Sequence, residues 1–347
     1  MPRQAVRAPD GAARRWAVRG GSLAALAAVL VAAVAVGSVP IAPGEVLDAL
    51  VRGVRGRVEG TRDVIVWQVR APRVALAAVV GAALALAGTA YQAVFRNPLA
   101  DPYLLGAASG AGFGAAVAMV YGGTAGAAGL AVLGVPGAAF AVAFATVVAA
   151  VLMARQGGRL PIVSLVLAGV VLGSSLSAAT SFVMLTDRER TAGVLAWLLG
   201  SFSFAEWRDV AVVAALLAVA GPAGFAARRA FDLLLLGEAS ARRLGLPVER
   251  FVWAVVGAAT LLTSAAVAVA GVIGFVGLVV PHAVRLAVGP EHRDLVPLSL
   301  AWGAAFLVAA DLLARTVIAP VEVPVGIVTA LVGGPFFLIL LRRGRPT

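Results

Sequence analysis

The chain has 347 residues with a formal net charge of +11, and 61% of the residues are hydrophobic while 13% are charged. Together with a mean hydropathy of +0.98, this composition is typical of a polytopic helical membrane protein and excludes an ordinary soluble domain. The sequence contains neither cysteine nor lysine. This excludes disulfides, thiolate metal sites, cysteine nucleophiles and the G-x-x-x-x-G-K-[ST] phosphate loop.

Uncharged apolar runs predict about ten membrane-spanning helices. The longest run, 102–154, contains no charged residue, which is enough for two crossings of about 20 residues each. The first span follows an arginine-rich tail, and a cleaved signal peptide is disfavoured because the run is long and lacks an A-x-A site. A partial, interfacial helix is predicted at 192–203. The predicted spans are 17–38, 73–95, 103–121, 133–154, 161–185, 208–227, 251–270, 274–288, 296–317 and 325–341.

The distribution of charge predicts that both termini are cytoplasmic. With the amino terminus inside, the cytoplasmic segments hold 18 arginines and 7 acidic residues, whereas the outer segments hold 10 of each. The whole net charge then lies on one side, as the positive-inside rule requires. We therefore expect residues 1–347 to form one transmembrane domain, with a cytoplasmic tail at 1–16 and a larger cytoplasmic segment at 228–250.

Small residues at helical spacing predict close packing of helices. The glycines at 106, 110 and 114, and those at 169 and 173, form GxxxG units that let helix backbones approach each other in lipid. Packing within one subunit is the favoured interpretation, and a dimerisation face is the alternative.

Few residues offer catalytic or metal-binding chemistry. His282 and His292 are not spaced as a metal pair, and a structural or interfacial role is favoured for both. Asp311 and Arg315 are interpreted as an (i, i+4) helix contact rather than a proton relay. Acids near the middle of a span are missing, which argues against a proton-coupled secondary carrier and an intramembrane enzyme.

Four motifs stand out along the chain. They are 67–73 (WQVRAPR), 96–102 (RNPLADP), 236–246 (LGEASARRLGL) and 271–282 (GVIGFVGLVVPH). Together, in this order and with ten spans, they closely resemble the FecCD-type permeases over nearly the whole chain. These are the membrane subunits of type II ABC importers for ferric siderophores, haem and cobalamin. The resemblance implies a homodimer or pseudo-dimer, two cytoplasmic ATPase subunits that bind ATP and magnesium, and an external substrate-binding protein.

The third motif predicts a short cytoplasmic helix at about 238–244. Gly237 and Gly245 bracket a segment that is too charged to enter lipid, and the leucines at 233–236 give it an apolar base. An ordinary amphipathic loop is the alternative from the residues alone. The resemblance implies instead a coupling helix that docks on the ATPase. The residues predicted for it are Leu236, Gly237, Glu238, Ala239, Ala241, Arg242, Leu244 and Gly245.

The resemblance also implies two sites at the ends of the spans. Arg70, Arg73 and Arg315 lie at the predicted outer face, where arginines near matching positions of cobalamin-type members receive carboxylates of the binding protein. Anchoring to lipid headgroups is the alternative. Asn97 and Leu99 match positions that form a cytoplasmic gate, although the Asn97–Pro98 turn is equally interpretable as a structural stop.

Span five carries a weakly polar face. Ser174, Ser177 and Ser181, with Thr180 adjacent, are predicted to line the central pathway, since this helix lines it in the family. Hydrogen bonding between helices is the alternative. The stretch 159–164 is more apolar than in the cobalamin permease, which disfavours cobalamin as the substrate.

The expected function is import without covalent chemistry on this chain. We predict a permease in the bacterial cytoplasmic (inner) membrane that carries no cofactor itself and binds no nucleic acid. The expected substrate is an iron complex, most favourably a ferric siderophore, with haem second and cobalamin third. A secondary carrier without an ATPase partner is the alternative from another class.

Overall fold

The computed structural model describes residues 11–37, 41–122, 128–156 and 160–342. This part of the chain is built from helices, with a π-helical segment at Ile65–Arg70 and a 3-10 turn at Pro102–Leu105. The α-helices are α1 Gly11–Ala35, α2 Pro43–Val54, α3 Gly60–Val64, α4 Ala71–Phe95, α5 Ala107–Tyr121, α6 Ala128–Ala154, α7 Ile162–Thr186, α8 Arg188–Leu198, α9 Trp207–Ala226, α10 Arg228–Leu235, α11 Glu238–Arg243, α12 Val248–Ala270, α13 Val276–Val288, α14 His292–Thr316 and α15 Val325–Arg342.

Each of the ten predicted spans coincides with a helix, which confirms the predicted fold class. Seven helical segments in the described residues are long and apolar enough to cross a membrane, and the shorter apolar helices α5, α13 and α15 account for the other three predicted spans. The first ten residues of the predicted 1–16 tail lie outside the described residues. The cytoplasmic placement of both termini remains a prediction.

Three boundaries differ from the sequence-based prediction. The helical path into the second span begins at Gly60, because α3 and the π-helical segment lead into α4 without a break. The predicted partial helix at 192–203 is α8, which ends at Leu198 before Gly200 takes a positive φ of 73°. The predicted span at 133–154 lies within the longer α6, and Gly134, near the start of that span, interrupts the helix with φ 66°.

Local sequence explains several helix ends. α8 begins where the Asp187 carboxylate accepts hydrogen bonds from the backbone N–H groups of Glu189 and Arg190, both at 3.1 Å. The turn before α5 begins where the half-buried Asp101 carboxylate accepts from Tyr103 N at 2.8 Å. α12 ends at Gly271, whose φ of 70° stops the helix before a non-helical segment leads to α13.

Helix α4 forms the centre of the subunit. It packs against α14, α12, α9 and α13, and nearly all of its side chains are buried. A Cβ on Gly81 would overlap the Gly303 carbonyl of α14, and one on Gly88 would overlap the Gly277 carbonyl of α13. These glycines therefore set how closely the three helices approach each other.

The predicted GxxxG units pack inside the subunit. A Cβ on Gly110 or Gly114 would meet α6, and one on Gly169 would meet the backbone of Leu104 and Leu105. The α5–α6–α7 layer is therefore held by contacts within the chain, as the favoured interpretation predicted.

Candidate functional site

The end of the subunit predicted to face outward holds a cluster of buried arginines around Asp311. Arg73 Nε and Nη2 donate to Asp311 Oδ1 at 3.1 and 2.9 Å, and Arg73 Nη1 donates to the Glu322 carboxylate at 2.9 and 3.0 Å. Arg315 Nε lies 3.6 Å from Asp311 Oδ2. The contact predicted between Asp311 and Arg315 one turn apart is therefore confirmed.

Two of the three arginines also hold the carboxyl end of α1. Arg70 Nη1 donates to Val34 O at 3.2 Å and to Ala35 O at 3.0 Å. Arg315 Nη2 donates to Ala33 O. Cations are favourable at a helix carboxyl end, where carbonyl groups lack intrahelical partners. The two side chains therefore join the first span to α4 and α14.

These contacts limit the access of a binding protein to the three arginines. The side chain of Arg73 is 11% exposed, whereas that of Glu322 is 42% exposed. Glu322 therefore lies between Arg73 and solvent. Burial acts to raise the pKa of Glu322, but hydrogen bonds from Arg73 and Ser203 outweigh it and hold that pKa below its ordinary value. The docking role of Arg70, Arg73 and Arg315 remains a prediction.

Sequence reasoning missed two residues of this end. Glu322 lies in the short loop before α15 and contacts Arg73 and Ser203 Oγ, the latter at 2.7 Å. Phe204 is 94% exposed in the loop before α9. Both residues border a cavity of about 660 Å³ that is also lined by Trp197 and Asp209. The sequence feature that could have identified Glu322 is a single acidic residue in a short loop on the predicted outer side.

The predicted gate loop is a defined turn. Arg96 ends α4 with a left-handed φ of 49°, and the Asn97 side-chain oxygen accepts from Leu99 N at 2.9 Å. Asn97 N donates to Gln92 O at 3.1 Å. Asn97 therefore stabilises the turn, as expected if the Asn97–Pro98 turn is a structural stop. Leu99 is exposed, and its role in a gate remains a prediction.

The structure separates the residues predicted to line the pathway. Ser174 and Ser181 are exposed on α7, and Ser177 Oγ donates to Ser109 Oγ at 3.1 Å. Thr180 is only 5% exposed and bonds back to Leu176 O. Thr180 therefore lies on the side of α7 that packs within the subunit, away from the exposed serines, and the pathway role of these residues remains a prediction.

The segment predicted to couple to the ATPase forms the separate short helix α11. It begins after Gly237, with φ 92°, and is followed by Gly245, with φ 90°. Leu244 is its C-cap, so the helix ends one residue before the predicted boundary. The two left-handed positions turn the chain sharply at both ends, and glycine adopts them without steric strain.

Ion pairs hold α11 against its neighbours. Arg242 lies 3.5 Å from Glu238 and 3.3 Å from Glu249 at the start of α12, and Arg96 lies 3.8 Å from Glu238. Ala241 is buried and Ala239 is exposed. The helix is thus attached to the ends of α4 and α12 and can transmit a displacement to both.

Exposed leucines surround α11. Leu236 and Leu244 are 62% and 61% exposed, and Leu235 is also exposed. Leu234 is buried and Leu233 is half-buried. Leu233 and Leu234 therefore pack into the subunit, whereas Leu235 and Leu236 are available at the surface. Exposed apolar side chains around a polar helix are typical of a protein-docking surface.

The described residues contain no group of three or more His, Asp or Glu side chains that could hold a metal ion. His282 packs near Phe336 and Phe337, and His292 Nδ1 contacts Asp232 Oδ1 at 2.7 Å. The two histidines therefore have separate environments.

Comparison with known proteins identifies the family. A model of the FecCD transport family matches residues 25–343. A cobalamin import permease of Halobacterium salinarum is 43% identical over 82% of this chain and 75% of its own length. A hemin transport permease of Yersinia pestis and an Fe(3+) dicitrate transport permease of Escherichia coli are each 40% identical over 81% of this chain, and they are covered over 84% and 86% of their lengths.

Comparison of the fold with solved structures agrees with this family. A solved structure of an inward-facing metal-chelate type ABC transporter has a TM-score of 0.81 and 28% identity to this chain. The similarity covers 94% of this chain and 99% of that chain. The chain therefore belongs to the FecCD transport family, the permeases of type II ABC importers, as its four motifs predict.

Proposed function

We propose that this chain is the membrane-spanning half of a homodimeric, ATP-driven importer, with its termini and α11 on the cytoplasmic side of the bacterial inner membrane. The observation that carries the proposal is α11 itself. This six-residue helix is bracketed by two glycines with positive φ, and leucines are exposed around it. Contacts within the lone subunit leave these leucines uncovered. A groove on an ATPase subunit would bury those leucines.

The energy for transport comes from the partner. This chain lacks the lysine of a phosphate loop, so ATP and magnesium bind to two ATPase subunits. Their change of state moves α11, and the ion pairs of Arg242 and Glu238 transmit the movement to α12 and α4. The mechanism is alternating access, in which ATP shifts the populations of inward-open and outward-open states.

The exposed face of α7 suits the interface of two such subunits around a pathway. Ser174, Ser177 and Ser181 give that face weakly polar groups, and large apolar side chains of α7 are exposed beside them. A pathway with this lining lets a bulky substrate pass without binding it tightly. The gate at Asn97 and Leu99 would close the cytoplasmic end.

The proposed substrate is a ferric siderophore. Support comes from the Fe(3+) dicitrate and metal-chelate relatives. The stretch that differs from the cobalamin permease, 159–164, lies partly outside the described residues. Haem is the second candidate, because the hemin permease is equally similar. Cobalamin is the third, although the cobalamin permease of Halobacterium salinarum has the higher identity of 43%.

The external binding protein is proposed to dock at the arginine cluster. Its carboxylates would compete with Glu322 for Arg73, since Glu322 is the more exposed partner of that guanidinium. Surrounding lipid contacts the apolar outer faces of the spans. A carrier that works without an ATPase is the rival, and its coupling would require ionisable groups near the middle of the bilayer.

The proposal is tested in proteoliposomes that contain this chain, its cognate ATPase and its binding protein. We expect ATP-dependent uptake of a labelled ferric siderophore, with excess unlabelled haem or cobalamin failing to compete. Preferred competition by haem or cobalamin would reassign the substrate. Uptake by this chain alone, driven by an ion gradient, would contradict the importer mechanism itself.

A further inference from the structure

A cavity of about 440 Å³ lies between the carboxyl ends of α4 and α13 and the start of α14. It is separate from the serine face of α7 and from the outer arginine cluster. Within the described parts of the chain, its lining contains no carboxylate. The polar side chains that line it are Gln92, Arg96, Asn97, His282, Arg285 and His292.

Several buried nitrogens of this lining have no protein partner. They are both ring nitrogens of His282, Nη1 of Arg285 and Nε2 of His292, judged against the residues that the structure describes. His282 is 2% exposed. A buried polar group without a partner destabilises the folded protein. The donors among these nitrogens are Arg285 Nη1 and one ring nitrogen of His282, and a group that offers oxygen atoms would satisfy them.

The charged groups around the cavity are fixed. Arg285 Nη2 donates to Gln92 Oε1 at 2.9 Å, which orients the guanidinium and leaves Nη1 unpaired. Asp232 and Glu238, among the residues that the structure describes, have ion pairs with lining residues. Asp232 contacts His292 Nδ1 at 2.7 Å, and Glu238 lies 3.8 Å from Arg96. The interior is consequently left with a positive charge at Arg285.

The rim of the cavity is apolar. Leu235 and Leu286 line it and are both exposed. A cationic interior behind an apolar rim suits a molecule with an anionic head. Basic pockets between membrane helices on the cytoplasmic side bind the headgroups of anionic lipids.

We propose that this cavity binds a phosphate group, with Arg285 and His282 as its donors. Arginine suits phosphate because its planar fork makes charge-assisted hydrogen bonds. The phosphate belongs either to the headgroup of an anionic phospholipid or to free phosphate in the cytoplasm, and both share this chemistry. The inference does not depend on which substrate the permease carries.

The experiment compares the full chain with an Arg285→Gln variant. In the lipid arm, protein is reconstituted in phosphatidylcholine nanodiscs with or without phosphatidylglycerol, and bound lipid is counted by native mass spectrometry. In the phosphate arm, inorganic phosphate is titrated against thermal unfolding in neutral detergent. Arg293→Gln is the matched control, because Arg293 is exposed and lies outside the cavity lining.

We expect the wild type and Arg293→Gln to bind alike and Arg285→Gln to bind about tenfold to a hundredfold more weakly, the equivalent of one charged hydrogen bond. Binding of phosphatidylglycerol alone assigns the lipid source, and binding of phosphate alone assigns the free one. If neither binds the wild type, or if Arg285→Gln binds as well as the control, the cavity holds only water and the proposal is wrong.

A second variant keeps the test decisive if Arg285→Gln does not fold. His282→Phe removes both ring nitrogens and keeps an aromatic ring beside Phe336 and Phe337. We expect it to bind about tenfold more weakly, as for the loss of one hydrogen bond. Unchanged binding of the probe by a folded His282→Phe variant would remove His282 from the site and overturn the proposed donor pair.

Discussion

Arg73 and Asp311 are joined by a buried ion pair between α4 and α14, although 238 residues separate them in the chain. The Asp311 side chain is 1% exposed. Arg315 approaches the same carboxylate from one turn away. One acid thus partly neutralises two guanidiniums, and one of them, Arg315, also donates to the carboxyl end of α1. The packing of α1, α4 and α14 therefore depends on Asp311.

Asp311→Asn should destabilise the folded protein strongly. The change takes the carboxylate away from Arg315 and leaves Arg73 with only the more exposed Glu322. Removing one partner of a buried ion pair costs about 3–5 kcal/mol. The measurement is the free energy of unfolding by denaturant titration in mixed micelles. Glu322→Gln is the comparison, because Glu322 is largely accessible and its pair is worth about 0–1 kcal/mol. Equal losses in the two variants would show that Asp311 is not the centre of the cluster.

Glu322→Gln should strengthen docking of the binding protein. The change removes the carboxylate that covers Arg73, so an incoming acidic side chain meets less competition. The effect should be largest at low ionic strength and shrink as salt is added. The measurement is the dissociation constant for the binding protein across a salt series.

Glu189→Gln is the control for the docking experiment. Glu189 is an exposed acid at the start of α8, so the variant changes net charge by the same amount. Equal strengthening by both variants would mean that net charge alone matters. An unchanged or weaker affinity in Glu322→Gln would argue that Arg73 receives no carboxylate, and headgroup anchoring would then be the better interpretation of the cluster.

The sequence predicts this fold well because membrane spans have a strong one-dimensional signal. Apolar runs with few charges locate all ten spans, and two glycines locate α11. Helix α2 was missed, since a twelve-residue amphipathic segment looks like a polar loop. The pairing of Arg73 with Glu322 was also missed, because nothing local indicates a contact across 249 residues.

Thr180 shows that residues close together in the sequence need not share a helix face. Helical residues are about 100° apart around the axis, so Ser174 and Ser181 share a face while Thr180 lies about 120° away from Ser174. Proximity in sequence therefore grouped residues that the helix separates. The burial of Thr180 beside the exposed Ser174 and Ser181 is consistent with this geometry.

Leu99→Ala distinguishes a gate from a plain turn. The Leu99 side chain is exposed, so its truncation should change stability by no more than about 0.5 kcal/mol. If the side chain closes the cytoplasmic end, the variant should leak substrate from loaded proteoliposomes without ATP. Asn97→Ala is the counterpart, because it removes the oxygen that accepts from Leu99 N and should lower stability by about 1 kcal/mol. A tight, fully active Leu99→Ala variant would leave the loop with only a structural role.

Ala241→Pro tests the coupling role of α11. Ala241 N donates to Gly237 O at 2.9 Å, and the side chain is fully buried. Proline removes that hydrogen bond, and in a helix interior it costs about 3 kcal/mol. None of the spans includes this segment, so the dimer should still fold and accept the binding protein. We expect uptake of the labelled iron complex to be lost, while the ATPase either detaches or hydrolyses ATP without transport.

Ala239→Pro is the matched control for this experiment. Ala239 is exposed in the first turn of α11, where proline is tolerated because the N–H has no intrahelical partner. Uptake and ATP hydrolysis are measured on the same proteoliposomes for both variants. Retained uptake in Ala239→Pro with lost uptake in Ala241→Pro indicates that the intact helix couples the ATPase to the pathway. Normal uptake in Ala241→Pro would reduce α11 to a surface loop and require another route for coupling.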